Sequence, residues 1–320
     1  MKQAIGGYFE LEISNRGSMF HDDLVALNSG RNALEFILRS RENVNSVYLP
    51  YYTCDVLLEP LKKLRLNYKF YSLENNLLPS EIELKKNDVI IYTNYFGINQ
   101  KNVKSVIEKY SKENVIVDNS QAFFDKPEEG LDSFYSPRKF FGVSDGGFAT
   151  NWYNVDVKDY KTDFSTDRIK HLVQRIENGA ESGYQTFKEN DHSLNNQPIK
   201  RMSYFTKKIL TGIDYDEIKK KRLRNFEQLH ERLSEFNKLS FLIENAKFTG
   251  PFCYPYWVED SKTLRAKLSN HLIYTATYWP NVRKWCLPSS LEFHLTENII
   301  FLPIDQRYDN YIMQEILSYV

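Results

Sequence analysis

The chain has 320 residues, of which 42 are basic and 42 acidic, for a formal net charge of zero. That balance, with no block of lysine and arginine, leaves no electrostatic footprint for nucleic acid or an anionic membrane, and no run approaches the ~18 apolar residues of a membrane helix. Cys54, Cys253 and Cys286 stand far apart without a CxxC, and the six histidines show no ligand spacing, so neither a disulfide framework nor a metal site is expected.

The length suits one large α/β domain with a smaller one attached. The opening MKQAIGGYFELE lacks the apolar core of a secretory signal, which makes the cytoplasm the expected compartment. Asn28-Ser29-Gly30 leads into RNALEFILRSR, where Leu34, Ile37 and Leu38 recur at helical spacing behind a cap. SVYLP (46–50) reads as a strand ended by proline. DVLLEPLKKL reads as a helix that Pro60 kinks or breaks. YKFYSL (68–73) and DVIIYTN (88–94) read as buried strands, 101–111 as a helix, and NVIVD (114–118) as a further buried strand with an acid at its end. DSFYS (132–136) and GFAT (147–150) are short strands. Apolar strands alternating with helices predict a mostly parallel sheet covered on both faces.

Beyond residue 160 the texture changes. Ile169, Leu172, Val173 and Ile176 form one helical stripe, and KENDHSLNNQP (188–198) reads as an exposed polar loop. Residues 216–236 form a long amphipathic helix carrying Ile218, Leu223, Phe226, Leu229 and Leu233, with its KKKR run as a solvated face. From about 240, FCYPYWV, IIFLPI and a closing helix suggest a compact α+β unit. The expected division is a large α/β domain over 1–205, then a bridging helix and small α+β domain over 206–320.

Three segments carry residues suited to chemistry, and ligands of open α/β sheets bind at the carboxyl ends of strands. Asn28-Ser29-Gly30-Arg31 opens a helix, and a helix start offers amides and a positive dipole end to a phosphate. A plain N-cap has the same pattern. Asp118-Asn119-Ser120-Gln121 follows an apolar strand. An acid there either makes a turn or holds a protonated ring nitrogen, with Gln121 offering a donor or acceptor beside it. YSPRKFFGVSDGG (135–147) sets Lys139 before two phenylalanines. A lysine against dry aromatic surface becomes nucleophilic toward an aldehyde, although most lysines are merely solvated.

In this order the segments resemble the DegT/DnrJ/EryC1/StrS family of sugar aminotransferases, pyridoxal phosphate (PLP) enzymes of fold type I. NSGRNALEFIL is similar to the family's phosphate-binding helix start, LPYYTCDVLLEPL to its strand and following helix, VIVDNSQAF to its D-x-x-Q/H segment, and SPRKFFGVSDGG to the lysine loop of one branch. RMSYFTKKIL, the helix with Arg222 and Asn225, and LPIDQRY fit the same branch. The resemblance implies that Lys139 attaches the cofactor and shuttles the proton. It implies that Asp118 pairs with the pyridine nitrogen and Gln121 with the ring 3-hydroxyl. Gly30 and Arg31 would hold the phosphate, with Ser136 a further contact and Ser133 its competitor. It also implies an amino-acid donor such as glutamate, a nucleotide-linked keto sugar as acceptor, surface-polysaccharide or amino-sugar biosynthesis as setting, and a homodimer with active sites at its interface.

The sequence departs from the family in three places. Cys54 stands where the family often has an aromatic residue stacking on the ring, which leaves Tyr51, Tyr52 and Tyr95 as substitutes; Tyr52 is the one assigned to the cofactor. Of the segment that reaches the partner subunit's phosphate only Arg201-Met202-Ser203 remains. The chain is also shorter than typical members. The alternatives are a degenerate member that binds a sugar, cofactor or partner without transamination, and a lyase or dehydratase on the same fold. Lys139 weighs against dehydration, which the family associates with a histidine at that position.

Overall fold

The computed structural model describes residues 5–244 and 246–320. Its centre is a seven-stranded sheet of β1 (Val25–Leu27), β2 (Ser46–Pro50), β3 (Asn67–Tyr71), β4 (Val89–Thr93), β5 (Val115–Asp118), β6 (Asp132–Tyr135) and β7 (Gly147–Ala149). The spatial order is β1-β7-β6-β5-β4-β2-β3. Neighbours from β6 to β3 pair in parallel, and β7 runs antiparallel to both β6 and β1.

Period-two alternation divides the side chains between the two faces. Val47 and Leu49, Val89 and Ile91, and Ile116 pack with Leu34, Ile37 and Leu38 of α1 (Gly30–Ser40). Tyr48, Ile90, Tyr92, Val115 and Val117 point the other way. There they meet Val106 and Tyr110, and beyond these the C-terminal elements. The helices in chain order are α2 (Leu58–Lys63), α3 (Gln100–Tyr110), α4 (Lys170–Asn178), α5 (Ala180–Ser193), α6 (Tyr204–Thr211), α7 (Tyr215–Leu233), α8 (Ser261–Asn270), α9 (Val282–Trp285), α10 (Leu291–Asn298) and α11 (Asn310–Tyr319). An antiparallel pair, β8 (Tyr254–Trp257) and β9 (Ile299–Leu302), lies among the last of them. Among the described residues no helix is long and apolar enough to cross a membrane.

Pro60 falls in the first turn of α2, where a missing N–H costs nothing, and a 3₁₀ turn over Asp55–Leu57 takes up the break. Four sequence expectations need correction. The 68–73 segment is not a buried strand: β3 is the sheet edge and its first three residues are exposed. The 188–198 segment is not an open loop, because α5 runs to Ser193, Asn190 donates to the Ser144 carbonyl and Leu194 is fully buried. The stripe on α4 does not face the core: Val173 is 49% and Ile176 83% exposed. Finally, the KKKR run is not uniformly solvated. Arg222 is buried on the same face as Phe226 and Leu229, four and seven residues on, while its neighbours carry the charge to solvent.

A third cluster lies over β7, where Phe123, Phe140, Phe141 and Phe148 pack with Phe20. His21 sits inside it, its ring 4.2 Å from that of Tyr135 and its Nε2 2.7 Å from the Phe123 carbonyl. Burial lowers its pKa from 6.5 to about 4, with the carbonyl opposing that shift. Between those values the unfolded chain binds a proton that the native state refuses, so stability falls as pH drops. We predict a loss of about 3 kcal/mol from this group between pH 7 and 4, read by urea unfolding across pH. His21→Gln, which can still donate to the carbonyl, is expected to flatten that part of the profile.

Candidate active site

The start of α1 is seated by backbone rather than by side chains. Ser29 caps it, accepting from the Asn32 amide at 3.2 Å. The Gly146 amide, at a residue with φ +123°, donates to the Asn28 carbonyl at 2.8 Å. A Cβ on Gly147 would lie 2.2 Å from the Ser29 carbonyl oxygen and 2.7 Å from the Gly30 nitrogen, so only glycine fits there. On its other side the α1 start meets the end of β6, where a Cβ on Gly30 would sit 3.5 Å from Ser136 Cβ and 3.9 Å from its Oγ. Helix amides, the positive end of the dipole and a serine hydroxyl thus share one corner, which suits an anion.

The strand register places the two serines on different sides of the sheet end. Val117 pairs with Ser133 and Asp118 with Phe134. Ser133 therefore faces the α3 side with Val117, away from α1, and its hydroxyl is buried there without a partner. Ser136 comes after the strand ends and turns to Gly30.

Asp118 takes the α1 side by the same alternation, two residues after Ile116. It is 4% exposed, and its Oδ1 accepts from the Ser120 amide at 2.8 Å in a tight turn. That turn lifts the Ser120 hydroxyl to Lys139, whose Nζ donates to Ser120 Oγ at 2.9 Å. Lys139 closes a 3₁₀ turn over Pro137–Lys139 and is half-buried. Burial raises the pKa of the Asp118 carboxyl, while the Lys139 charge and the Ser120 hydrogen bonds pull it back. A carboxylate and an amine are therefore held together in a largely dry setting, where charges act strongly.

Gln121 is fully buried; its Oε1 accepts from the Phe96 amide at 2.9 Å and its Nε2 has no partner. Arg31 is buried near the α1 start, with Nη1 donating to Glu59 Oε2 at 3.0 Å and to Asn195 Oδ1. Burial raises the Cys54 thiol pKa, and the charges of Lys139 and Arg31, acting the other way, mark its nearness to both. Tyr52 is fully buried elsewhere, its ring stacked 5.6 Å from Tyr95 and edge-on 4.5 Å from Trp279, so it has no open face for a second ring. Tyr95 is equally enclosed, and Tyr51 stacks on Phe70 at 5.0 Å. Arg201 turns inward, its Nε donating to the Tyr160 carbonyl at 2.9 Å.

Sequence reasoning passed over three contributors. Ser120 is the lysine's partner, and its place two residues after an Asp is the signal for such a turn. Asp145 is buried and accepts from Ser165 Oγ (2.8 Å), Ser203 Oγ (2.7 Å), the Ser203 amide (2.9 Å) and Thr206 Oγ1, so it pins the lysine segment to the start of α6. Asn195, inside the expected loop, reaches Arg31. Nothing local in the sequence marks those long-range partners.

No family model matches the chain, and no curated protein matches its sequence. Solved structures do share its fold. Helicobacter pylori PseC, an aminotransferase involved in the biosynthesis of pseudoaminic acid, is 13% identical with a TM-score of 0.62, covering 92% of this chain and 85% of its own. The PLP form of Spr1654 from Streptococcus pneumoniae is 14% identical with a TM-score of 0.59 (92% and 86% covered). A DegT DnrJ EryC1 StrS aminotransferase from Brucella abortus is 14% identical with a TM-score of 0.56 (92% and 84%). The fold is that of the PLP-dependent transferases of fold type I.

Gly147→Ala tests the corner directly. The added methyl meets the backbone of the Ser29–Gly30 peptide, so the variant is expected to lose about 1–3 kcal/mol of stability in urea. Inorganic phosphate, which should protect the wild type against urea, is expected to protect this variant less.

Proposed function

We propose that this chain is a PLP-dependent aminotransferase that moves an amino group from an amino acid, with glutamate as the expected donor, to a nucleotide-linked keto sugar. The observation that carries the reading is the meeting of Lys139 and buried Asp118 through Ser120, beside the corner formed by α1 and Ser136. The residues present fit the cofactor on three counts: the Gly30–Ser136 corner for a phosphate, a buried carboxylate for a ring nitrogen, and the orphaned Gln121 Nε2 for a ring oxygen. When bound, PLP supplies an electron sink that lets an amino acid release its α-proton.

The chain's own residues do the rest. Asp118 would keep a proton on the pyridine nitrogen by charge pairing, which its burial would strengthen. Gln121 Nε2, which has no partner within the chain, would donate to the ring oxygen beside the aldehyde carbon. The Gly30 and Arg31 amides, the Ser136 hydroxyl and the Arg31 guanidinium would hold the phosphate. Lys139 would hold the cofactor through Nζ and, once that amine is free, would take and return the donor's α-proton there. Ser120 Oγ orients that nitrogen. Cys54, near Lys139 and Arg31, would border the ring in place of an aromatic residue. Residues 1–205 would form the cofactor-holding unit and 206–320 the smaller unit against it.

The reading implies a cytoplasmic homodimer. The apolar residues exposed on α4 and α5, including Val173, Ile176, Tyr184 and Phe187, offer a face for a second copy, and the end of α5 leads straight to Asn195 and Arg31. Ile176→Glu is expected to halve the mass seen by light scattering and to lower PLP loading, whereas an unchanged mass would remove this face from consideration. One observation favours the degenerate alternative: neither Tyr52 nor Tyr95 has a face open to a cofactor.

An absorbance spectrum of purified protein with added PLP, before and after glutamate, distinguishes the two. We expect a visible absorbance band from PLP joined to a lysine that glutamate bleaches in the wild type and that Lys139→Ala lacks. A protein that binds PLP without any response to glutamate would support the degenerate reading instead.

A further inference from the structure

Arg222 is among the largest fully buried side chains of the described residues, on a helix where Lys220 and Arg224, two residues to either side, are exposed. Its guanidinium lies 4.6 Å from the centre of the Phe140 ring. Nε donates to Gln306 Oε1 at 3.0 Å, and Gln306 Nε2 donates onward to the Phe140 carbonyl at 2.8 Å. Nη1 donates to the carbonyls of Pro251 and Phe252 at 3.0 and 3.1 Å. From there a second arm runs back to the sheet: the Phe252 amide donates to the Phe96 carbonyl at 2.9 Å, and the Phe96 amide to Gln121 Oε1 at 2.9 Å.

Each arm ends on a turn that needs holding. Phe140 is the residue after Lys139 and caps its 3₁₀ turn. Phe96 sits at φ +62°, a conformation that a non-glycine residue keeps only where its surroundings impose it. A planar fork can hold two carbonyls, an amide oxygen and a ring face at once, which a lysine ammonium cannot.

We infer that Arg222 is a positioning residue: through Gln306 it fixes the turn that presents Lys139, and through Phe252 and Phe96 it fixes the Gln121 amide. The C-terminal elements thereby set the geometry of a site built on the sheet. The assignment of those two ends to a cofactor rests on the proposed function; the strap itself does not.

Amide hydrogen exchange by mass spectrometry on the cofactor-free protein tests the strap. Gln306→Ala should speed exchange over residues 137–143 by about tenfold or more and leave 94–98 unchanged, because it cuts one arm. Arg222→Lys, which keeps the charge and loses the fork, should loosen both segments. Residues 203–211, held separately by Asp145, serve as control and should not change. In a second measurement PLP is added, the product is reduced with borohydride, and attachment at Lys139 is followed by mass across pH. Gln306→Ala should attach PLP more slowly, with the pH midpoint moved from that of the wild type.

Unchanged exchange in both variants would overturn the inference. So would a uniform rise across all three segments, which is the signature of lost global stability. If the wild type never carries PLP on Lys139, the cofactor reading falls, and the exchange pattern alone decides the strap.

Discussion

The close approach of the α1 start to the Gly146–Gly147 backbone is the constraint on which the site depends. A methyl group at Gly147 would fall inside the Ser29 carbonyl, so the helix can sit here only because that side chain is missing. Its consequences spread outward by hydrogen bonds. Asn28 Nδ2 donates to the Pro198 carbonyl, and its Oδ1 accepts from the Lys200 amide. Asp145, immediately before the glycines, gathers Ser165, Ser203 and Thr206. The segment bearing Lys139 is therefore fixed at one end by β6 and at the other by glycine backbone and a buried carboxylate.

The second organising effect is dryness. Phe123, Phe140, Phe141 and Phe148 form one wall beside the lysine turn, and Asp118 is almost wholly removed from solvent. Burying a carboxylate is costly unless charge and hydrogen bonds answer it. Here Lys139 and the Ser120 amide and hydroxyl provide the answer. The price of keeping an acid in that place makes sense if its charge has work to do, and perturbed groups in such settings cluster at functional sites. Arg222 repeats the pattern on the far side, a buried cation answered by carbonyls, an amide and an aromatic ring.

How much of this could be read in the sequence follows from how local each signal is. Strands β2, β4 and β5 were legible because burial on both faces writes an unbroken apolar run. β3 has the same β-forming residues at a sheet edge, and composition does not distinguish the two. The order of Asp118, Gln121 and Lys139 resembles a motif in the sequence, and the structure brings Asp118 and Lys139 together through Ser120. Ser136 could be separated from Ser133 only once the pairing of Ser133 with Val117 was known. Arg222 looked like a solvated charge because the groups that answer it lie 29 to 84 residues away in sequence. The α4 stripe had true helical periodicity but does not face the chain's own core. Periodicity reports that a face is apolar and is silent on what covers it.

The central claim is that Lys139, Asp118 and the α1 corner form one PLP site. A crystal structure of the protein grown with PLP tests it most directly. The account predicts electron density continuous from Lys139 Nζ into the ring, the pyridine nitrogen against Asp118, and the phosphate between the α1 start and Ser136. A structure with PLP bound elsewhere, or with Lys139 still donating to Ser120 and no density beside it at saturating cofactor, would contradict the claim.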